Sequence, residues 1–525
     1  MLRRPVAIAL AAASCALGAT ALWAGHEVSY YPAFYPDRVT ITSMDAQAAG
    51  KALTGNKLHV FFGGQPSLPA TVPDTLRGVQ SLGAYAVITL DPTAKGMGTP
   101  EARCKAAEEV LRGLAQPGKD DFVFHPYPIT PLHEDYVAHT DRAAAAMRQA
   151  EAPVSSRPRM AIQASGMLGR RLTQAGWSVN AAPQASGIAV VALPQEQVIT
   201  PTGMGSWAGP PWLKEGWYAA WQLLSPGLDP KAAAQAKPLL TRMMHGDFDG
   251  RVEAYNLERQ LVDTLSRPCT RVVAGYVLRR EFVNIEYSFG IENVATDSGL
   301  GLNNPVFLRT VKLKDYPWNG PLFAALDGQA QAAWNPVAGF GDPTGRLAWS
   351  LIADDAFMSL PDSEGWQANR IDSQRTAVRQ FRKATIDVPA DALIPEPGTG
   401  IFKPVGPGKK SRALVGYRIL ASPFLDGQDT SVEDLLYPFA FAFRWGAGEK
   451  ADPAVAAATA LLRERLVGIR VGTSEHSVDN MGGVEVPRVA HLIEVYLNHG
   501  ALDQEQVAAL APPWSAVPWQ LLALM

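Results

Sequence analysis

From residue 25 to about 200 the chain alternates short apolar runs with stretches whose apolar positions recur every three or four residues. Residues 58–62, 84–90, 122–124, 159–162 and 187–193 read as buried strands. Between them, Thr99-Pro100-Glu101 opens a helix with Thr as N-cap, Pro at the first helical position and Glu in the first turn. Ala106, Val110, Leu111 and Leu114 then repeat at helical spacing. Thr130-Pro131 predicts a second helix start, with Glu134 and Asp135 in its first turn. Such alternation implies α/β layers around a largely parallel sheet.

The texture changes after residue 200. Residues 231–265 read as helical, whereas runs at 272–278, 306–313 and 347–352 read as strands separated by turn signals such as Asn303-Asn304-Pro305. The stretch 394–411, rich in Pro and Gly and ending near Lys409, Lys410 and Arg412, reads as a linker. The expected organisation is therefore an N-terminal signal or anchor (1–24), an α/β domain (25–200), a strand-rich α+β domain (201–393), the linker (394–411) and a C-terminal unit (412–525). The fold class is an α/β and α+β multidomain protein.

The 525 residues carry 47 basic against 50 acidic side chains, a net charge of −3, and 47% are apolar. This excludes the broad basic field of a nucleic-acid binder and the composition of a disordered acidic chain. The first 25 residues say most about location. Arg3 and Arg4 precede an uncharged run from Pro5 to Ala24 with an A-x-A site at Ala19-Thr20-Ala21, the layout of a secretory signal. Twenty apolar residues could also remain as an anchor, and Ala12-Ala13-Ser14-Cys15 loosely matches a lipidation site. In either case the remainder is expected to be periplasmic or otherwise extracytoplasmic. Of the three cysteines, Cys104 and Cys269 would then stand in an oxidising compartment, where pairing is the expected fate; two buried thiols are the alternative.

The candidate chemistry is sparse. His125, His133 and His139 lie close together beside Glu134, Asp135 and Asp141, as metal ligands could, or as polar residues of a solvated helix start. If a helix begins at Pro131, Asp135 and His139 share a face. Trp207, Trp212, Trp217 and Trp221 crowd around Pro210-Pro211 and suit either a ligand cleft or, with Trp217 and Trp221 at i, i+4, the buried stripe of a helix. His491 and Glu494 read as an ordinary i, i+3 pair on an apolar helix. No nucleophile elbow, phosphate loop or CxxC occurs, so neither catalytic residues nor a cofactor are assigned.

One stretch carries a resemblance. Asp426-Gly427-Gln428-Asp429-Thr430-Ser431-Val432-Glu433-Asp434-Leu435-Leu436-Tyr437 resembles the DG-x-x-x-[TS]-A-x-D-V segment of family 5 extracellular solute-binding proteins, with Val432 in place of alanine. Residues 466–471 look like the strand that follows it. The resemblance implies periplasmic-binding-protein-like layers of sheets and helices, a small-molecule ligand and an inner-membrane ABC transporter as partner. It transfers no ligand contact, because each matched residue also has a turn or capping role. In that family the segment lies early in the chain, so the resemblance also leads us to expect one part of a longer or split protein. The rival expectation is a periplasmic accessory protein for metal handling or redox-enzyme maturation, using the three histidines.

Overall fold

The computed structural model describes residues 33–524 except 117, 119, 152–160, 181–186, 200–209, 287–288, 330–333, 336–338, 341–342, 354, 364, 372–376 and 425. The expected signal, Cys15 and Trp207 therefore lie outside the described residues.

The first half begins with β1 (Pro36–Ser43), α1 (Ala46–Thr54), β2 (Val60–Phe62) and β3 (Leu76–Leu90). Helix α2 (Pro100–Leu114) starts where the sequence places it: the Thr99 side chain accepts from the Ala102 amide, and Val110 and Leu114 are buried. Next come β4 (Phe122–Phe124), a 3-10 turn at Glu134–Ala138, and α3 (Thr140–Glu151). The helix expected from Pro131 is thus delayed, because residues 134–138 make only the tighter turn. The chain continues through β5 (Ile162–Ala164), α4 (Gly166–Gln174), β6 (Val179–Asn180), β7 (Ile188–Pro194) and α5 (Gln195–Ile199). Three helices follow, α6 (Gly216–Leu224), α7 (Pro230–His245) and α8 (Arg251–Ser266). Strands β8 (Arg271–Asn284) and β9 (Ile291–Asn293), helix α9 (Pro305–Thr310), and strands β10 (Lys312–Leu313) and β11 (Gly320–Leu326) complete this half.

Nine strands form one sheet, ordered β1-β11-β2-β8-β3-β7-β5-β6, with β4 also on β8. Only its flanks are parallel. Its centre is a long antiparallel ladder of β3 on β8, from Leu76↔Asn284 to Thr89↔Arg271, so the expectation of a largely parallel sheet is corrected. Bulges break the ladder at Leu82/Ala84 and Ala86/Val87. At Gly275 a side chain would strike the Val123 carbonyl, because β4 crowds that position. Cys104 in α2 and Cys269, just before β8, are joined in a disulfide.

Past residue 333 come β12 (Trp334–Asn335), β13 (Gly339–Phe340), α10 (Pro343–Ala353), and a hairpin of β14 (Phe357–Ser359) with β15 (Trp366–Ala368). A second sheet follows, built from β16 (Ala377–Gln380), β18 (Leu393–Pro395), β19 (Phe402–Pro404), β21 (Ala413–Leu420), β22 (Leu466–Val471), β23 (Glu475–Met481) and β24 (Val484–Leu497). Strands β17 (Ile386–Asp387) and β20 (Lys410–Ser411) pair with each other. The stretch 394–411 is consequently no free tether: its prolines and glycines shape the β18–β19 hairpin, and β18 also pairs with β22.

Helices α11 (Val432–Gly446), α12 (Pro453–Arg465), α13 (Gln504–Ala509) and α14 (Trp519–Leu524) accompany this sheet. The family-like stretch folds as its residues require. Asp426 accepts from the Gln428 amide, and Gly427 takes a left-handed φ of 86°. Ser431 and Asp434 then cap α11 reciprocally. Of two runs read as strands, 306–313 is helical up to Thr310, because Asn304 caps α9 with Pro305 behind it, and only its end forms β10; residues 347–352 lie within α10. His491 and Glu494 lie on β24 rather than on a helix, and His491 is satisfied by Ser474 and the Thr430 carbonyl.

One apolar cluster runs from Tyr85 and Val87 of the first sheet through Trp217 and Leu261 to Tyr417, Phe439 and Val495. Helices α6 and α8 thus help join the two sheets through a shared core. Among the described residues, no helix is long and apolar enough to cross a membrane.

Candidate functional site

His133 and His139 bound the 3-10 turn, His125 follows β4, and two hollows lie in this part of the molecule. The first is a small cleft where the tip of the β14–β15 hairpin meets the first sheet. Leu82 and Leu132 give it apolar wall, and Lys214, Asp297, Asp362 and Gln195 give it polar wall. Asp297 locks one side: its carboxylate accepts from the amides of Gly299, Leu300 and Asp362 and pairs with Lys214. Ser298 in turn donates its amide to Asp362, and Lys214 also donates to the Leu360 carbonyl. Asp297 and Lys214 are therefore already engaged within the wall. Gln195 differs, since it is buried at the start of α5 with its amide oxygen lacking a hydrogen-bond partner among the described residues.

His133 also lines this cleft, with its ring fully engaged. Its Nδ1 accepts from the Thr130 amide at 3.1 Å, which leaves Nε2 to carry the proton toward the Tyr85 hydroxyl at 3.2 Å. Burial holds the imidazole down at about 4, so it is neutral at ordinary pH. His125 donates from Nε2 to the Ile129 carbonyl at 2.9 Å, and burial lowers its pKa as well. Neither ring joins His139 in a common ligand set.

His139 faces a different group. Its Nε2 lies 3.5 Å from Glu258 Oε2, with both side chains almost completely buried. Asp135 completes a cluster in which one ligand-type atom from each residue lies within 4.8 Å of the others. Asp135 enters it while capping α6, because its Oδ2 accepts the Trp217 amide at 3.0 Å. Burial, followed by the charges of Arg142 and Arg259, lowers His139 to about 4. Burial, followed by the charges of Asp135 and Glu215, pushes Glu258 far above the usual carboxylate range.

Beside Glu258 lies the second, smaller hollow, lined by Trp212, Trp217, Glu215, His499 and Gln506 among others. Two of the candidate tryptophans therefore face this cavity and not the cleft, while Trp221 packs against the shared core. Trp217 donates its indole N–H to Glu215, which also accepts from Gln506 at 2.9 Å. His499 is buried with neither ring nitrogen hydrogen-bonded among the described residues, and burial lowers it to about 3.

Sequence reasoning missed Glu258, Glu215 and Gln195. For Glu258 a signal existed: it interrupts the buried stripe Ala254, Leu257, Leu261, Val262 and Leu265 of α8, where an unpartnered carboxylate is costly.

No protein-family model matches the chain, and no curated protein matches it. Among solved structures, the chain is similar to the oligopeptide-binding protein AppA from Bacillus subtilis in complex with a nonapeptide. Identity there is 12%, over 52% of this chain and 59% of that one, with a TM-score of 0.30. It is also similar to NikZ from Campylobacter jejuni in complex with Ni(L-His), at 10% identity over 51% of this chain and 60% of that one, with a TM-score of 0.30. The match thus spans less than two thirds of either protein.

Proposed function

We propose that this chain is an extracytoplasmic binding protein that holds a small polar solute in the cleft beside Gln195 and presents it to a membrane transporter. The observation that carries this reading is the unequal state of the cleft wall. Asp297 and Lys214 are tied into a rigid frame, whereas Gln195, which also lines the cleft, keeps a buried amide oxygen with no hydrogen-bond partner among the described residues. An amine, amide or hydroxyl on the solute would meet it, and Leu82 and Leu132 would cover an apolar portion. The signal-like N-terminus, the Cys104–Cys269 disulfide and the resemblance at residues 426–437 to family 5 solute-binding proteins agree with this role.

The test is mass spectrometry of small molecules released from purified protein, followed by thermal-shift measurements with those molecules and with panels of amino acids, short peptides and sugars. A polar solute should be retained by the wild type, and Gln195→Leu should weaken its binding by about 10- to 100-fold, the cost of one buried hydrogen bond. Retention unaffected by Gln195→Leu, or no stabilising compound in any panel, would overturn the assignment.

A further inference from the structure

The turn that brings His133 and Glu134 to the cleft sends Asp135 and His139 the other way, against α8. There the His139 Nε2 and the Glu258 Oε2 have no hydrogen-bond partner among the described residues, although both side chains are more than nine-tenths buried. They meet each other at ion-pair distance but neither makes a hydrogen bond, and a cation bound by both would satisfy them together. Their 3.5 Å separation matches the edge of a tetrahedral zinc site, which is about 3.4 Å for nitrogen and oxygen ligands at roughly 2.0–2.2 Å. Asp135 brings a second carboxylate within 4.8 Å of both, its other oxygen remaining on the Trp217 amide.

The surroundings are those of a prepared ligand set. The Tyr127 hydroxyl lies 2.7 Å from His139 Nδ1, so the ring is held with Nε2 toward the carboxylates. The cations whose charges reach His139, Arg142 and Arg259, are engaged by Asp263 and Asp141 respectively, so neither is paired with the carboxyl groups of the cluster. Glu258 also lines the second hollow, along with Glu215 and His499, so further ligand-type groups adjoin the cluster. One imidazole with carboxylates suits zinc and its first-row neighbours better than calcium or magnesium, which favour all-oxygen shells.

We propose that Asp135, His139 and Glu258 form a buried binding site for a divalent transition-metal ion, zinc in the first instance. This site is independent of the solute reading.

The experiment strips the full-length protein with a chelator, removes the chelator, and titrates Zn²⁺ and then Co²⁺. One equivalent of Zn²⁺ should bind per chain in the presence of excess Mg²⁺. Co²⁺ in its place should give the intense visible absorption of a low-coordinate ion. His139→Gln and Glu258→Gln should each weaken binding by more than the roughly 10- to 100-fold that loss of an outer-shell partner costs, and His476→Ala, at an exposed position, should leave it unchanged. Zinc affinity equal in wild type and Glu258→Gln would overturn the proposal. Should the variants fail to fold, the wild-type cobalt spectrum decides: a weak spectrum like that of the hydrated ion, or no binding, overturns it.

Discussion

The Arg412 guanidinium donates to the Gly246 carbonyl at 2.8 Å and to the neighbouring His245 carbonyl at 2.9 Å. A cation from the second sheet thus closes the C-terminal end of α7, where unpaired carbonyls and the helix dipole favour positive charge. The Gly500 amide adds a third bond, to His245. The two halves are consequently joined by backbone groups as well as by their shared core.

Gly246→Ala tests that junction. Gly246 has φ 59°, and an added Cβ would lie 1.7 Å from the Gly500 carbonyl oxygen. The expected loss exceeds about 3 kcal/mol, above the ordinary cost of alanine at a left-handed position. Arg412→Ala should cost about 2–3 kcal/mol, the range for hydrogen bonds to a charged group. Urea denaturation measures both, and a change within error for Gly246→Ala would refute the close approach.

Asp434 ties a cap to the far end of the chain. Its Oδ2 accepts from Ser431, and its Oδ1 accepts the Trp519 amide at 2.7 Å. Asp434→Ala should remove about 2–3 kcal/mol, more than a simple N-cap. It should also speed hydrogen exchange at Trp519, whereas Ser431→Ala should leave that amide protected.

His59 sets part of the acid limit. Its ring stacks 4.3 Å from Phe289, accepts the Phe323 amide, and is held by burial at about 4 against 6.5 for the free side chain. Between those values the unfolded chain binds a proton that the folded chain does not. Stability therefore rises with pH through the window and is lost as pH falls from 6.5 toward 4, by about 3 kcal/mol in full. His59→Phe should flatten that part of the profile in urea titrations at pH 7 and 4.5. An unchanged slope would rule His59 out.

The Cys104–Cys269 bond closes a loop across 165 residues and fixes α2 against the entry to β8. The chain-entropy treatment gives about 5 kcal/mol for such a loop, with measured bonds often lower. A Cys104→Ser, Cys269→Ser double variant should therefore unfold at clearly lower urea, by about 3–5 kcal/mol. Adding reductant to the wild type should reproduce the change.

Where structure was set by neighbouring residues, it was readable in advance. Thr99 and Pro100 start α2, and Ser431 caps α11, because a cap needs only the next three residues. Short apolar runs were not readable: 306–313 and 347–352 fit strand and helix alike, and Asn304 with Pro305 decides the first. The direction of the central strands was hidden as well, since β3 finds its partner only at β8. The same holds for the site. His139 stood out by its spacing, but Glu258 and Gln195 acquire their meaning from elements remote in the chain.

That central ladder governs how the molecule must be made. Roughly 180 residues separate the end of β3 from the start of β8, an interval of about 10–40 s at ordinary synthesis rates. Until β8 arrives, the interior strand of the first sheet has an open edge of fifteen residues. The first sheet can therefore be completed only after more than half of the chain has been synthesised.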